Sequence, residues 1–172
     1  MRNWNSLFYL ILLVALVAAF GSRANAQYEP LGTGLSVRAG AFFPSDASAR
    51  DAEGATWLTV GAEWRFFKLP SVNPLFKSNL TLSADWYGSG SLYAIPVLAN
   101  YSARMDKFLF SVGLGLAFDQ DLGGSVGTDL AWAASVGMEF LPGPTPIYGA
   151  LRYNGSGADG LNGLSAVVGV RF

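Results

Sequence analysis

Gly163-Leu164-Ser165-Ala166-Val167-Val168-Gly169-Val170-Arg171-Phe172 brings the chain to its end on a large aromatic residue. Leu164, Ala166, Val168, Val170 and Phe172 fall on one face, while Ser165, Gly169 and Arg171 share the other with Val167. A period of two is the signature of a strand. A soluble domain seldom stops mid-strand on such a side chain, because chain ends fray and would expose it. A closed barrel in a bilayer can end this way, since its last strand is paired on both edges. The terminal stretch therefore predicts a membrane strand.

Seven segments upstream repeat the pattern, separated by Gly, Pro, Asp, Asn and Ser clusters. They are Gly34–Phe43, Trp57–Phe67, Ser78–Tyr87, Leu92–Arg104, Phe108–Phe118, Leu130–Phe140 and Ile147–Asn154. In the cleanest, Phe108, Phe110, Val112, Leu114, Leu116 and Phe118 oppose Ser111, Gly113, Gly115 and Ala117. Each is close to the ~9–11 residues that a tilted membrane strand requires. The expectation is an all-β fold, an eight-stranded antiparallel up-and-down transmembrane β-barrel.

The second face decides between lipid and water outside. It is mostly Gly, Ala, Ser and Thr, and only 13% of the chain is charged. A soluble surface wants about 25–35% charge. Turned around, the pattern fits: apolar stripes toward lipid and small polar residues in a narrow lumen, which eight strands leave just wide enough for side chains to fill. Aromatic residues at the stripe ends suit the two girdles of a membrane barrel. Trp64, Phe66, Tyr101, Phe108, Phe140 and Phe172 form one; Phe43, Trp86, Tyr93, Phe118, Trp132 and Tyr153 form the other.

Met1–Ala26 is set apart from this fold. Arg2, the apolar run Leu7–Phe20 and Ala24-Asn25-Ala26 make the three-part pattern of a cleaved secretory signal. The run is too short for the roughly 17–25 residues of a helical span. The expected barrel domain is Gln27–Phe172. Without Arg2 and Arg23 it carries 9 basic and 12 acidic residues, net −3. That balance gives no electrostatic reason to expect nucleic acid. No cysteine is present, so disulfides do not stabilise this exported chain.

The signal, the eight alternating strands and the ending Val168-Gly169-Val170-Arg171-Phe172 together resemble the small bacterial outer-membrane barrels of the OmpA/OmpX type, barrel domain only. The resemblance covers essentially the whole of Gln27–Phe172. It implies location in the outer membrane, contact with its lipids, a monomeric barrel and no cofactor. It also implies that Phe172, with apolar residues at alternate positions before it, is the signal met by the barrel-insertion machinery. An even strand number puts both termini on the periplasmic side. The expected outer loops are then Pro44–Ala55, Gly88–Ser91, Asp119–Asp129 and Gly155–Gly163; the inner turns are Lys68–Lys77, Arg104–Lys107 and Leu141–Pro146.

Chemistry is sparse. Inward parity collects Arg38, Glu63, Arg65, Asp85, Glu139, Arg152 and Arg171. An unpaired charge in a narrow lumen is costly, so opposite signs on adjacent strands should pair. The expected pairs are Arg38–Glu63, Arg65–Asp85 and Glu139–Arg152. They either close the interior or exchange partners as a gate. Pro96 lies inside the fourth strand, where it cannot donate a ladder hydrogen bond. It predicts a bulge or kink, or in the sharper form a gap in the wall. Asp119, Asp121 and Asp129 are weak candidates for a divalent cation, with a solvated acidic loop favoured.

With neither His nor Cys, a Ser–His or Cys–His centre cannot be built, so an enzyme is not expected. The expected role is an integral outer-membrane protein, structural or surface-displaying, with a largely plugged interior. The alternative is a narrow channel for ions or small solutes, including hydrophobic ones.

Overall fold

The computed structural model describes residues 34–70, 76–158 and 160–172. The expected leader Met1–Ala26 lies outside the described residues, as do Asp159 and part of Lys68–Lys77. Eight strands run in chain order: β1 (Leu35–Pro44), β2 (Trp57–Lys68), β3 (Phe76–Ser89), β4 (Leu92–Met105), β5 (Phe108–Gln120), β6 (Val126–Leu141), β7 (Ile147–Ser156) and β8 (Gly163–Arg171). Among the described residues one short helix, α1 (Ala47–Glu53), follows β1.

Every strand pairs antiparallel with its sequence neighbour, and β8 returns to β1, closing an up-and-down barrel. The closing seam runs from Ser36 opposite Arg171 to Pro44 opposite Gly163. It is extended by Phe172, whose N–H donates to the Leu35 carbonyl at 2.8 Å. Closure leaves no free sheet edge, the arrangement that satisfies backbone groups without help from solvent.

Alternation sorts the side chains as period two requires. On β5, Val112, Leu114 and Leu116 point outward at 58%, 64% and 49% exposure, while Gly113 and Ala117 between them are buried. Leu130 and Val168 repeat this on β6 and β8. Phe43, Trp64, Phe66, Tyr101, Phe108, Phe118, Trp132, Phe140 and Tyr153 also point outward. No charged side chain occupies the alternating outward positions between the strand ends.

Two bulges interrupt the ladders, at Arg65/Phe67 and Glu139/Leu141. Each leaves two consecutive apolar residues outside, Phe66 with Phe67 and Phe140 with Leu141, and both lie toward the end that carries the termini. Pro96 introduces no bulge. The β3–β4 register is the same on either side of it, from Ala84 opposite Val97 to Tyr87 opposite Ala94, and only the ladder partners between them are missing. Pro96 itself is buried, opposite Ala117 on β5.

The expected outer loop Asp119–Asp129 is shorter than its sequence suggests. β5 continues to Gln120 and β6 begins at Val126, with Asp119 opposite Gly127. Gly124, at φ +75, allows the chain to reverse within Asp121–Ser125, and the strand-forming Val126 and Thr128 carry the ladder on. Asp119 consequently points into the barrel, 2% exposed.

The loop Pro44–Ala55 holds α1 instead of irregular chain. Asp46 caps it, accepting a hydrogen bond from the Ala49 N–H at 3.0 Å. Gly54 ends it at φ +87, with its N–H on the Arg50 carbonyl.

Candidate functional site: the charged lumen

Three layers fill the barrel from one end to the other. At the α1 end, Phe42, Trp57 and Tyr87 meet across the lumen. Phe42 and Tyr87 stack with ring centroids 4.2 Å apart, and Trp57 tilts against Phe42 at 5.4 Å. Ala49 of α1, Leu92, Ala94, Ala158 and Leu161 join them in one buried apolar cluster. Trp57 anchors the helix by donating its indole N–H to the Gly54 carbonyl at 2.8 Å. Glu53 ties α1 to the β3–β4 hairpin by accepting from the Ser91 N–H and hydroxyl. This end of the lumen is shut by aromatic packing.

The middle layer is ionic. Arg38 from β1 makes a two-pronged contact with Asp85 from β3, Nε to Oδ1 at 2.7 Å and Nη2 to Oδ2 at 2.8 Å. Its Nη1 donates to Glu63 Oε2 at 2.9 Å, and Ser102 donates to the other Glu63 oxygen. Arg152 from β7 approaches Asp85 from across the barrel, its Nη2 3.3 Å from Oδ2. Asn154 accepts from Arg152 Nε and donates to Ser165, while Asn100 donates to Ser83. Buried charges persist only when paired and hydrogen-bonded, which these carboxylates are.

The third layer lies toward the termini. Glu139 on β6 receives two arginines, Arg171 at 2.6 Å and Arg104 at 2.7 Å. Arg171 also lies over the Tyr148 ring, 5.6 Å from its centre. Below the middle layer opens a cavity of about 610 Å³, reaching from Arg38, Glu63 and Arg152 out past Arg65 and Arg171 to Lys68 and Lys77 at the rim. No residue on the α1 side of the Arg38–Arg152 level lines it.

The expected pairing Arg38–Glu63 is present. The other two are corrected by register. Asp85 stands opposite Gly61 and Arg65 opposite Thr81, so the Asp85 carboxylate is taken by Arg38 and Arg152. Glu139 stands opposite Tyr148 and Arg152 opposite Ser135, so Glu139 turns to Arg171 and Arg104. Arg104, Asn100 and Asn154 are network members that sequence reasoning passed over. Their inward parity on β4 and β7 was the available signal.

Pro96 lines neither this cavity nor the shallow outer depression around Gly149. Asp119 is buried with its Oδ2 lacking a hydrogen-bond partner among the described residues. Asp121 instead accepts from the Ser125 N–H in its own hairpin. No group of acidic residues among those described has the arrangement of a metal site.

The chain matches no protein-family model and no curated protein sequence.

Proposed function

We propose that this chain is an integral outer-membrane β-barrel of a bacterium, structural in role, with a lumen shut by side chains. The observation that carries this reading is the outer face. Val112, Leu114, Leu130 and Val168 stand more than half exposed on a closed wall without an outward charge between the strand ends. A soluble protein rarely exposes contiguous apolar surface beyond a few hundred Å². In lipid the same surface is solvated by acyl chains and is the expected solution for a spanning barrel.

The remaining features agree with this placement. The barrel closes within a single chain and needs no second copy. The absence of His and Cys from the sequence leaves Ser–His and Cys–His pairs without their parts. The Phe42–Trp57–Tyr87 layer over the Arg38–Asp85–Arg152 layer favours a silent barrel over a conduit. Because Asp119 is buried and Leu161 folds into the lumen, the α1 end displays little beyond the helix and two tight hairpins.

Leu114→Arg tests the placement directly. At the centre of β5 it should destabilise a lipid-embedded barrel by about 2–4 kcal/mol. In a water-soluble barrel the same change on a 64% exposed residue should be neutral. Neutrality of Leu114→Arg, with the chain soluble in the absence of detergent, would overturn the proposal. In a planar bilayer the refolded chain should remain silent. Discrete openings altered by Glu63→Ala would put the channel first.

A further inference from the structure

We propose that the cavity at the terminal end is a binding site for a small divalent oxyanion of phosphate type, with Arg152 at its floor. The inference stands on the lumen's geometry and holds with or without conduction. Seven arginine and lysine side chains line the cavity, while the carboxylates in or against them are Glu63, Asp85 and Glu139. The side chains therefore carry an excess of positive charge into a blind pocket with low-dielectric walls. Such a pocket concentrates counter-ions.

The hydrogen-bond inventory sharpens this. Both oxygens of Glu63 are engaged, by Arg38 and Ser102, and both oxygens of Asp85 by Arg38. Both oxygens of Glu139 are engaged by Arg104 and Arg171. The carboxylate oxygens of the network are all engaged. Its donors are not: Arg152 is 3% exposed, yet its Nη2 makes no hydrogen bond among the described residues, standing 3.3 Å from Asp85 without one. A guanidinium edge is the group that recognises phosphate oxygens. An oxyanion entering the cavity would meet the Arg152 side chain at the floor, whose buried Nη2 would have to turn toward the ion to donate to it. At the mouth it would pass Arg65 and Arg171, the latter with a side chain 30% exposed. About 610 Å³ holds on the order of twenty waters, room for such an ion and part of its hydration shell.

The test is calorimetric titration of the full chain, refolded in a nonionic detergent and verified as folded by β-sheet circular dichroism. Sodium phosphate is compared with sodium chloride at equal ionic strength. Saturable one-to-one binding of phosphate over chloride is expected. Arg152→Gln should weaken it about tenfold or more, the scale of a charged hydrogen bond. Should that variant fail to fold, Ser135→Asp serves, because Ser135 is the register partner of Arg152. An internal carboxylate there should occupy the guanidinium, abolish phosphate binding and raise resistance to unfolding. Glycerol 3-phosphate separates the two sources of this chemistry. Binding tighter than phosphate marks a phosphoryl group carried on a larger molecule, and equal or weaker binding marks the free ion. Absence of saturable phosphate binding to the folded chain, or binding unchanged in both variants, would overturn the proposal.

Discussion

Replacing Asp85 by Asn should damage this barrel more than any other single change in the ionic layer. The carboxylate is 5% exposed and sits between two arginines, with bonds of 2.7 and 2.8 Å to Arg38 and a contact of 3.3 Å to Arg152. Asparagine keeps the volume, so no cavity term enters. What changes is charge: two buried guanidiniums are left with Glu63 as the nearest counter-ion. Breaking a buried pair by removing one partner destabilises by about 3–5 kcal/mol, because the remaining charge is uncompensated. Glu63→Gln is the internal control. Glu63 is more open, with a side chain 16% exposed, touches one arginine and lies on the cavity side of the layer. Its loss should amount to about 1.5–3 kcal/mol, the worth of a hydrogen bond to a charged group. Urea titration of the refolded barrel, followed by circular dichroism, reads both. With a slope near 2 kcal/mol per molar, Asp85→Asn should lower the midpoint by about 1.5–2.5 M. Adding Arg152→Gln to Asp85→Asn should restore part of the loss, since one of the stranded charges is gone. An Asp85→Asn loss below about 1 kcal/mol, or no larger than that of Glu63→Gln, would refute the assignment of Asp85 as the hub.

Three further changes probe other layers. Phe42→Ala removes a fully buried ring from between Tyr87 and Trp57 and should cost about 3–5 kcal/mol in the same titration, while the bilayer stays silent because the ionic layer below is intact. Gly40→Ala would place a methyl 2.0 Å from the Ala166 carbonyl oxygen across the β1–β8 seam, so backbone must move; a loss of about 3 kcal/mol or failure to refold is expected, read by the heat-dependent gel shift of the closed barrel. Glu53→Ala removes the tie between α1 and Ser91; stability should fall by only about 0.5–1.5 kcal/mol, but protease cleavage within Ala47–Glu53 should accelerate, since the helix is then held mainly by Ala49 and Trp57.

The strands and their faces were legible because alternation is a local property. Phe108 to Phe118 announces its two faces without knowledge of any neighbour. Pairings were not, because a pair is a statement about register. Arg65 and Asp85 sit on adjacent strands with correct parity, but the Arg65/Phe67 bulge and hairpin length place Asp85 beside Gly61. The aromatic closure was within reach and missed. Phe42, Trp57 and Tyr87 share inward parity with Arg38, Thr59 and Asp85, but at strand ends a large ring suggests a lipid girdle more readily than a stopper. The helix in Pro44–Ala55 left a fainter mark. Asp46 followed by Ala47-Ser48-Ala49-Arg50 is a cap and a first turn, though seven residues offer too little periodicity to claim. The depth of Asp119 depended on where a glycine-rich hairpin turns, which is set by ladder pairing on both sides.

Arg38, Asp85 and Arg152 come from the first, third and seventh strands, so their contact spans the lumen and not a single hairpin. It can form only after β8 has found β1, the pairing with the greatest loop entropy in the chain. An unclosed sheet keeps those three groups wet, and hydration holds it open. Ring closure and loss of water from the charges are thereby one event, at the end of folding. The rate of that event should be governed as much by dehydration as by chain search. Refolding should slow under conditions that strengthen water's hold on guanidinium and carboxylate, even where the finished barrel is no less stable.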